Sequence, residues 1–300
     1  MQLPTPLEPA PFAGPDVWLK REDVHELGAF KWRGALPVVE EYRRRGADTV
    51  VTASTGNHGA ATAWAARRLG LAAIVYAPVT ASRTKLELLA RQGADVRLVG
   101  QDVDEAKDEA RAFAAERGAP LFEDGAEPAQ HGGYAEIARE LLEQLGRPPA
   151  AVVVPVGNGA LLAGIGLHLG RHSSATVRIG VAAREAPVMA LSFAARAPVG
   201  SDRCATIADG LAVRVAIPLA VDALNEAADR MLEVSERELA RGVAAFDRAG
   251  IRVEPSAAAA LAALPQLDGL AGPVVLVVTG RNIDDELLAR CREAPDSFPA

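Results

Sequence analysis

The chain has 300 residues, 49% of them hydrophobic, and a formal net charge of −7. It is long enough for one large α/β domain or two smaller lobes with full cores, and its negative balance argues against a nucleic-acid surface. No apolar run reaches bilayer length, the N-terminal stretch lacks a basic-then-apolar signal pattern, and Cys204 and Cys291 give neither a disulfide framework nor metal-ligand spacing, so a reduced, cytoplasmic setting is expected.

In chain order, the first feature is "GAFKWRG" at 28–34. It holds Lys31, one of four lysines among 32 basic side chains. A lysine between Phe and Trp in such a background is either a surface side chain with its stem on apolar neighbours or a partly desolvated amine able to form a Schiff base and carry a proton. Strands are predicted at 49–54, 72–78, 95–100, 150–157, 176–183, 230–236 and 273–280. Helices are predicted at 56–70, 82–93, 102–118, 134–145, 160–170, 235–250 and 256–264. Alternating strands and helices with apolar strands predict an α/β, two-lobed chain, each lobe a mostly parallel sheet flanked by helices. Residues 1–48 with 146–300 are expected to form the large lobe and 49–145 the small one, with a loop at 197–203.

Parallel sheets bind ligands in the turns that follow their strands, and three such turns stand out. "ASTGNHG" (53–59) places small polar residues and a glycine at a helix N-terminus, which suits a carboxylate, or serves as an ordinary cap. "PVGNGALLAG" (155–164) is neither a Walker loop nor a dinucleotide fingerprint. Gly157 and Gly159 allow close backbone approach, and the amides of Gly157, Asn158, Gly159, Ala160 and Leu161 could cradle a single phosphate. "VVLVVTGRNID" (274–284) ends a strand at Thr279, with Asn282 read as the cap of the last helix. A lysine, a carboxylate nest, a phosphate nest and a hydroxyl together suit pyridoxal 5′-phosphate.

These segments, with "TPL" (5–7), "LKRED" (19–23), "TIADGLAVR" (206–214) and "EPSAAAALAAL" (254–264), resemble in order and spacing the tryptophan-synthase β-like (fold type II) pyridoxal-phosphate enzymes. Within these, the chain is most similar to the threonine/serine dehydratase and serine racemase group. The resemblance implies that Lys31 is the Schiff-base lysine and that Asn57 bonds the cofactor ring hydroxyl. It implies that Ser54, Thr55, Gly56, Asn57 and His58 hold the substrate carboxylate and that Gly157–Leu161 hold the phosphate. Gly210 would lie beside the cofactor, and Thr279 would face its ring nitrogen. Departures are Asn158 and Ala160 in a loop of four glycines, Ala29 for a serine, Arg281 near the site mouth, and Ala182 where metal-binding members carry Glu, so no divalent metal is expected.

The implied activity is an ammonia-lyase acting on L-threonine or L-serine, with Lys31 as base and Thr55 beside the substrate Cα. A threonine synthase-like or racemase-like enzyme, or a non-catalytic cofactor binder, stays open. The expected partner is a small amino acid, and the family's habit implies a homodimer.

Overall fold

Among the described residues, 4–300 of a computed structural model, nine strands form two sheets. The chain divides into two units, one of residues up to Phe30 together with Tyr134–Ala300, the other Lys31–Gly133.

The first unit holds a six-stranded sheet of β1 (Leu7–Pro9), β2 (Val17–Arg21), β6 (Ala151–Pro155), β7 (Val177–Ala183), β8 (Arg230–Val234) and β9 (Val274–Val278), in the order β1-β2-β9-β6-β7-β8. Only the β1–β2 pair is antiparallel. Alternation along the strands sorts the core between two faces. Val153, Ile179, Val181, Leu276 and Val278 pack with Leu239, Val243 and Phe246 of α9 (Glu236–Arg248) and with the alanines of α10 (Pro255–Ala262). Val152, Val154, Val275 and Val277 face the opposite way. They meet Ile137 and Leu141 of α5 (Pro128–Leu145), Leu162 and Ile165 of α6 (Ala160–His172), and Leu224 of α8 (Pro218–Ala227). Apolar residues at successive strand positions are what a sheet covered on both faces requires.

The second unit holds the parallel sheet β3 (Thr49–Ala53), β4 (Ala72–Ala77) and β5 (Asp95–Leu98). Val51, Ile74 and Tyr76 pack on Ala106, Ala110 and Ala114 of α4 (Val103–Arg117), and Val75 packs on Ala60 of α2 (Asn57–Leu69) and Leu89 of α3 (Arg83–Arg91). The predicted parallel α/β architecture is therefore what the chain adopts.

Several elements were not legible. Helix α1 (Trp32–Arg44) carries Pro37 in its interior, which argues against a helix. Its buried stripe of Trp32, Ala35, Val38, Val39 and Tyr42 outweighs that cost. Helix α5 starts at Pro128, six residues before the predicted 134. The structure needs a glycine at 133, since a Cβ there would overlap the carbonyl oxygen of Arg33. Helices α7 (Val188–Ala195) and α8 and the short strands β1 and β2 were also missed, while the expected last helix is α11 (Asp285–Glu293). The cap of α11 is Asp284, not Asn282, whose Nδ2 donates instead to Leu27 O at 2.8 Å. Residues 198–203 are free of helix and strand, as expected.

Lys20 is fully buried. Its ammonium donates to Glu140 Oε2 (2.7 Å), Thr5 O (2.7 Å) and Gln144 Oε1 (3.0 Å), tying β2 to α5 and to the segment before β1. A buried charge left without its counter-charge costs several kcal/mol. Glu140→Leu is expected to destabilise the chain by about 3–5 kcal/mol in a denaturant melt, and adding Lys20→Met to recover most of it.

Candidate active site

The residues singled out in the sequence lie in both units. In the first unit, the turn after β6 runs straight into α6, whose N-cap is Gly159 with φ +94, a left-handed value that glycine takes without strain. First-turn amides of a helix have no acceptor within the helix and, with the macrodipole behind them, attract an anion. Asn158 Oδ1 accepts the Ala160 N–H at 3.1 Å, so the side chain that replaces a family glycine caps one of these donors. The loop is brought against Gly210, because a Cβ on Gly157 would overlap the Gly210 carbonyl oxygen. Gly210 N–H in turn donates to Ser256 Oγ at 3.0 Å, at the start of α10.

Thr279 follows β9 and is 3% exposed, and its Oγ1 has no hydrogen-bond partner among the described residues. A buried hydroxyl without a partner costs about 1–3 kcal/mol, which a ligand that supplies the partner would offset. The same stretch organises the approach to Lys31. Phe30, the residue before it, donates its N–H to Thr279 O at 3.0 Å, and Arg281 N–H donates to Gly28 O at 2.8 Å. The Arg281 guanidinium reaches His25 O at 3.4 Å.

In the second unit, Lys31 Nζ donates to Asp124 Oδ2 at 2.5 Å, with 16% of the lysine side chain exposed. Asp124 Oδ1 accepts from Gln130 Nε2 at 3.0 Å and lies 3.7 Å from His58 Nδ1. Burial alone would raise the Asp124 carboxyl, but the Lys31 ammonium and His58, with the hydrogen bonds from Lys31 and Gln130, outweigh it and hold the carboxyl well below the usual range. Burial lowers His58, opposed by the Asp124 charge. The His58 ring is directed into the fold, with Nε2 3.1 Å from Thr52 Oγ1 and 3.2 Å from Phe122 O. In the turn before α2, Ser54 Oγ accepts the Gly56 N–H at 3.2 Å. Thr55 and Asn57 are half-buried in the same turn.

Sequence reasoning missed Asp124 and Ser256, and also Glu254, whose carboxylate fills the space where a Cβ on Gly280 would sit, 2.8 Å away. "EDG" at 123–125 reads as turn residues, and only the fold shows which side chain it aims at Lys31.

The residues present fit pyridoxal phosphate in two respects: a glycine-built anion cradle at the N-terminus of α6 and an orphaned buried hydroxyl at the end of β9. Two outcomes follow. Thr279→Val, which removes an unpartnered polar atom, should leave the cofactor-free chain at least as stable in a thermal melt while weakening cofactor binding in a titration. The second concerns pH. The folded state disfavours the His58 charge, so its contribution to stability is complete above the unfolded value of about 6.5 and declines as pH falls from there. Stability measured against pH should fall less steeply below about 6.5 in His58→Gln than in the parent.

Residues 1–280 match the family described as pyridoxal-phosphate dependent enzyme. The chain is 33% identical over 302 residues to threonine dehydratase 1 biosynthetic, chloroplastic, of Solanum lycopersicum, covering 97% of this chain and 50% of that protein. It is 33% identical over 290 residues to the serine dehydratase-like protein of Mus musculus, covering 92% and 88% respectively. The chain therefore spans about half the length of the tomato relative and most of the mouse one. Among solved structures, the processed form of threonine deaminase isoform 2 from Solanum lycopersicum aligns with a TM-score of 0.91 at 29% identity, over 96% of this chain and 87% of that one.

Proposed function

Because the chain belongs to the pyridoxal-phosphate dependent enzyme family, we propose that it is an ammonia-lyase that converts a β-hydroxy amino acid, L-threonine or L-serine, to a 2-oxo acid and ammonia. The similarity to threonine and serine dehydratases along nearly all of its length supports this reading. So does the orphaned hydroxyl of Thr279, the single observation of the fold that carries it. When bound, the cofactor supplies an electron-accepting ring that stabilises negative charge at the substrate Cα.

The chain's own residues supply the rest. Lys31 holds the cofactor aldehyde and, once released, takes the Cα proton onto Nζ. The amides of Gly157, Asn158, Gly159, Ala160 and Leu161 hold the phosphate, that of Ala160 being shared with Asn158 Oδ1. Gly210 leaves room for the ring, and Asn57 bonds the ring hydroxyl. Thr279 Oγ1 would serve the ring nitrogen of the bound cofactor; a hydroxyl there, unlike a carboxylate, would not force the nitrogen to stay protonated, which would favour elimination over transamination. Ser54, Thr55, Gly56, Asn57 and His58 hold the substrate carboxylate, His58 through its backbone because its ring is engaged with Thr52 and Phe122. A cytoplasmic homodimer completes the reading.

Lys31→Ala should abolish both the visible absorption of the bound cofactor and oxo-acid release from a panel of amino acids. Release by no member of the panel, or release undiminished in the variant, would overturn the assignment. Thr55→Ala should raise KM for the substrate about tenfold, the value of one hydrogen bond to a charged group, with little change in kcat. Chiral chromatography should find little D-isomer with either protein, since an unperturbed threonine hydroxyl is a poor acid and base.

A further inference from the structure

We propose that Asp124 is a positioning residue for Lys31, fixing where the lysine ammonium points. The inference rests on the reading of Lys31 as the lysine that moves the substrate proton.

The carboxylate is itself fixed. Its Oδ2 takes the Lys31 Nζ at 2.5 Å, while Oδ1 takes Gln130 Nε2 at 3.0 Å. Gln130, buried at the start of α5, is oriented by its other amide atom, since Oε1 accepts the Gly125 N–H at 2.8 Å. Both ends of this side chain therefore bind the 124–125 turn, and the carboxylate has little freedom to rotate away from the lysine. The other titratable groups facing the pair are His58 of α2, 3.7 Å from Oδ1, and Glu123, next to Asp124 in the chain. Lys31 is the basic group within hydrogen-bond distance of Asp124, His58 lying farther off. Lys31 is also the N-cap of α1, where the helix dipole disfavours added positive charge, and the carboxylate offsets this.

The chemical consequence follows from where the proton goes. When Lys31 acts as base, the Cα–H bond breaks and a new N–H bond forms with the lone pair of Nζ. Asp124 remains a carboxylate throughout and stabilises the ammonium at that moment. It exchanges no proton and forms no bond, which makes it a positioning residue and not the base itself.

The chain has four lysines, and the three besides Lys31 act as controls. Lys20 is buried against Glu140, whereas Lys85 and Lys107 are half-buried on helices α3 and α4, Lys107 lying 3.5 Å from Asp104. A hydrogen-bonded, sheltered ammonium exchanges its protons slowly enough to be seen in a nitrogen-15 NMR spectrum near neutral pH, and a solvated one does not. The full chain, stripped of cofactor and labelled with nitrogen-15 lysine, should show ammonium resonances of Lys20 and Lys31 among its signals. Lys31→Arg should remove one of them. Asp124→Asn should remove the same one and leave that of Lys20, which reports that the fold is intact. A spectrum in which Lys31→Arg removes nothing, or in which Asp124→Asn keeps both resonances, would overturn the proposal. If Asp124→Asn fails to fold and loses both, the comparison of the parent with Lys31→Arg decides. The spectra need no turnover, so a failure of the lyase reading in the product assay and a failure of this proposal are separate results.

Discussion

The backbone of residues 28–30 is stitched to the end of β9, and much of the candidate site depends on that seam. Phe30 donates to Thr279 O, Arg281 donates to Gly28 O, and the Asn282 carboxamide donates to Leu27 O. Gly28 takes φ +66, and a Cβ there would meet Asn282 Oδ1 at 2.5 Å, so this residue has neither the conformation nor the space for a side chain. β9 is an interior strand, paired with β2 on one side and β6 on the other, and its end is accordingly among the stiffest places in the first unit. The backbone of residues 28–30 is thus set by the centre of a sheet and not by a loose loop, which is how rigid scaffolds hold functional groups.

Charge is distributed with the same economy. In a chain that uses arginine for nearly all of its basic surface, two of the four lysines are withdrawn from solvent, each against a carboxylate. Lys20 is wholly enclosed and linked to a carbonyl, a carboxylate and a carboxamide at once, a structural anchor. Lys31 keeps some exposure and meets its carboxylate at a turn. Arginine would suit the first role electrostatically, but it stays protonated under all ordinary conditions and cannot serve in the second. The environment, more than the residue type, separates the two lysines.

What the sequence made legible was what repeats or stands out locally. Apolar strands alternating with amphipathic helices announced the parallel sheets, and glycines at 157 and 159 announced a turn built for close approach. What stayed hidden was set by distant contacts. Helix α5 runs through Gly133, where the carbonyl of Arg33, a hundred positions earlier in the chain, is what requires a glycine. Pro37 hid α1 because its cost is local, whereas the burial that offsets it is not. Asp124 and Ser256 sit in stretches with no pattern of their own, and their partners Lys31 and Gly210 are remote in sequence. Asn282 was read as a helix cap from its neighbours alone, while its carboxamide is spent on the 25–28 segment.

The contact between Gly157 and the Gly210 carbonyl also limits how this protein can diverge. At 157 any side chain collides with backbone, and at 210 a Cβ would press on Ser256 Oγ at 2.8 Å. Gly159 is held by its dihedral angle. Three positions around the anion cradle are thereby closed to drift, leaving 158 and 160 as the places where lineages of this fold can alter how many amide donors the cradle offers. The Asn158 carboxamide, which accepts the Ala160 N–H, takes up one such donor without moving the backbone.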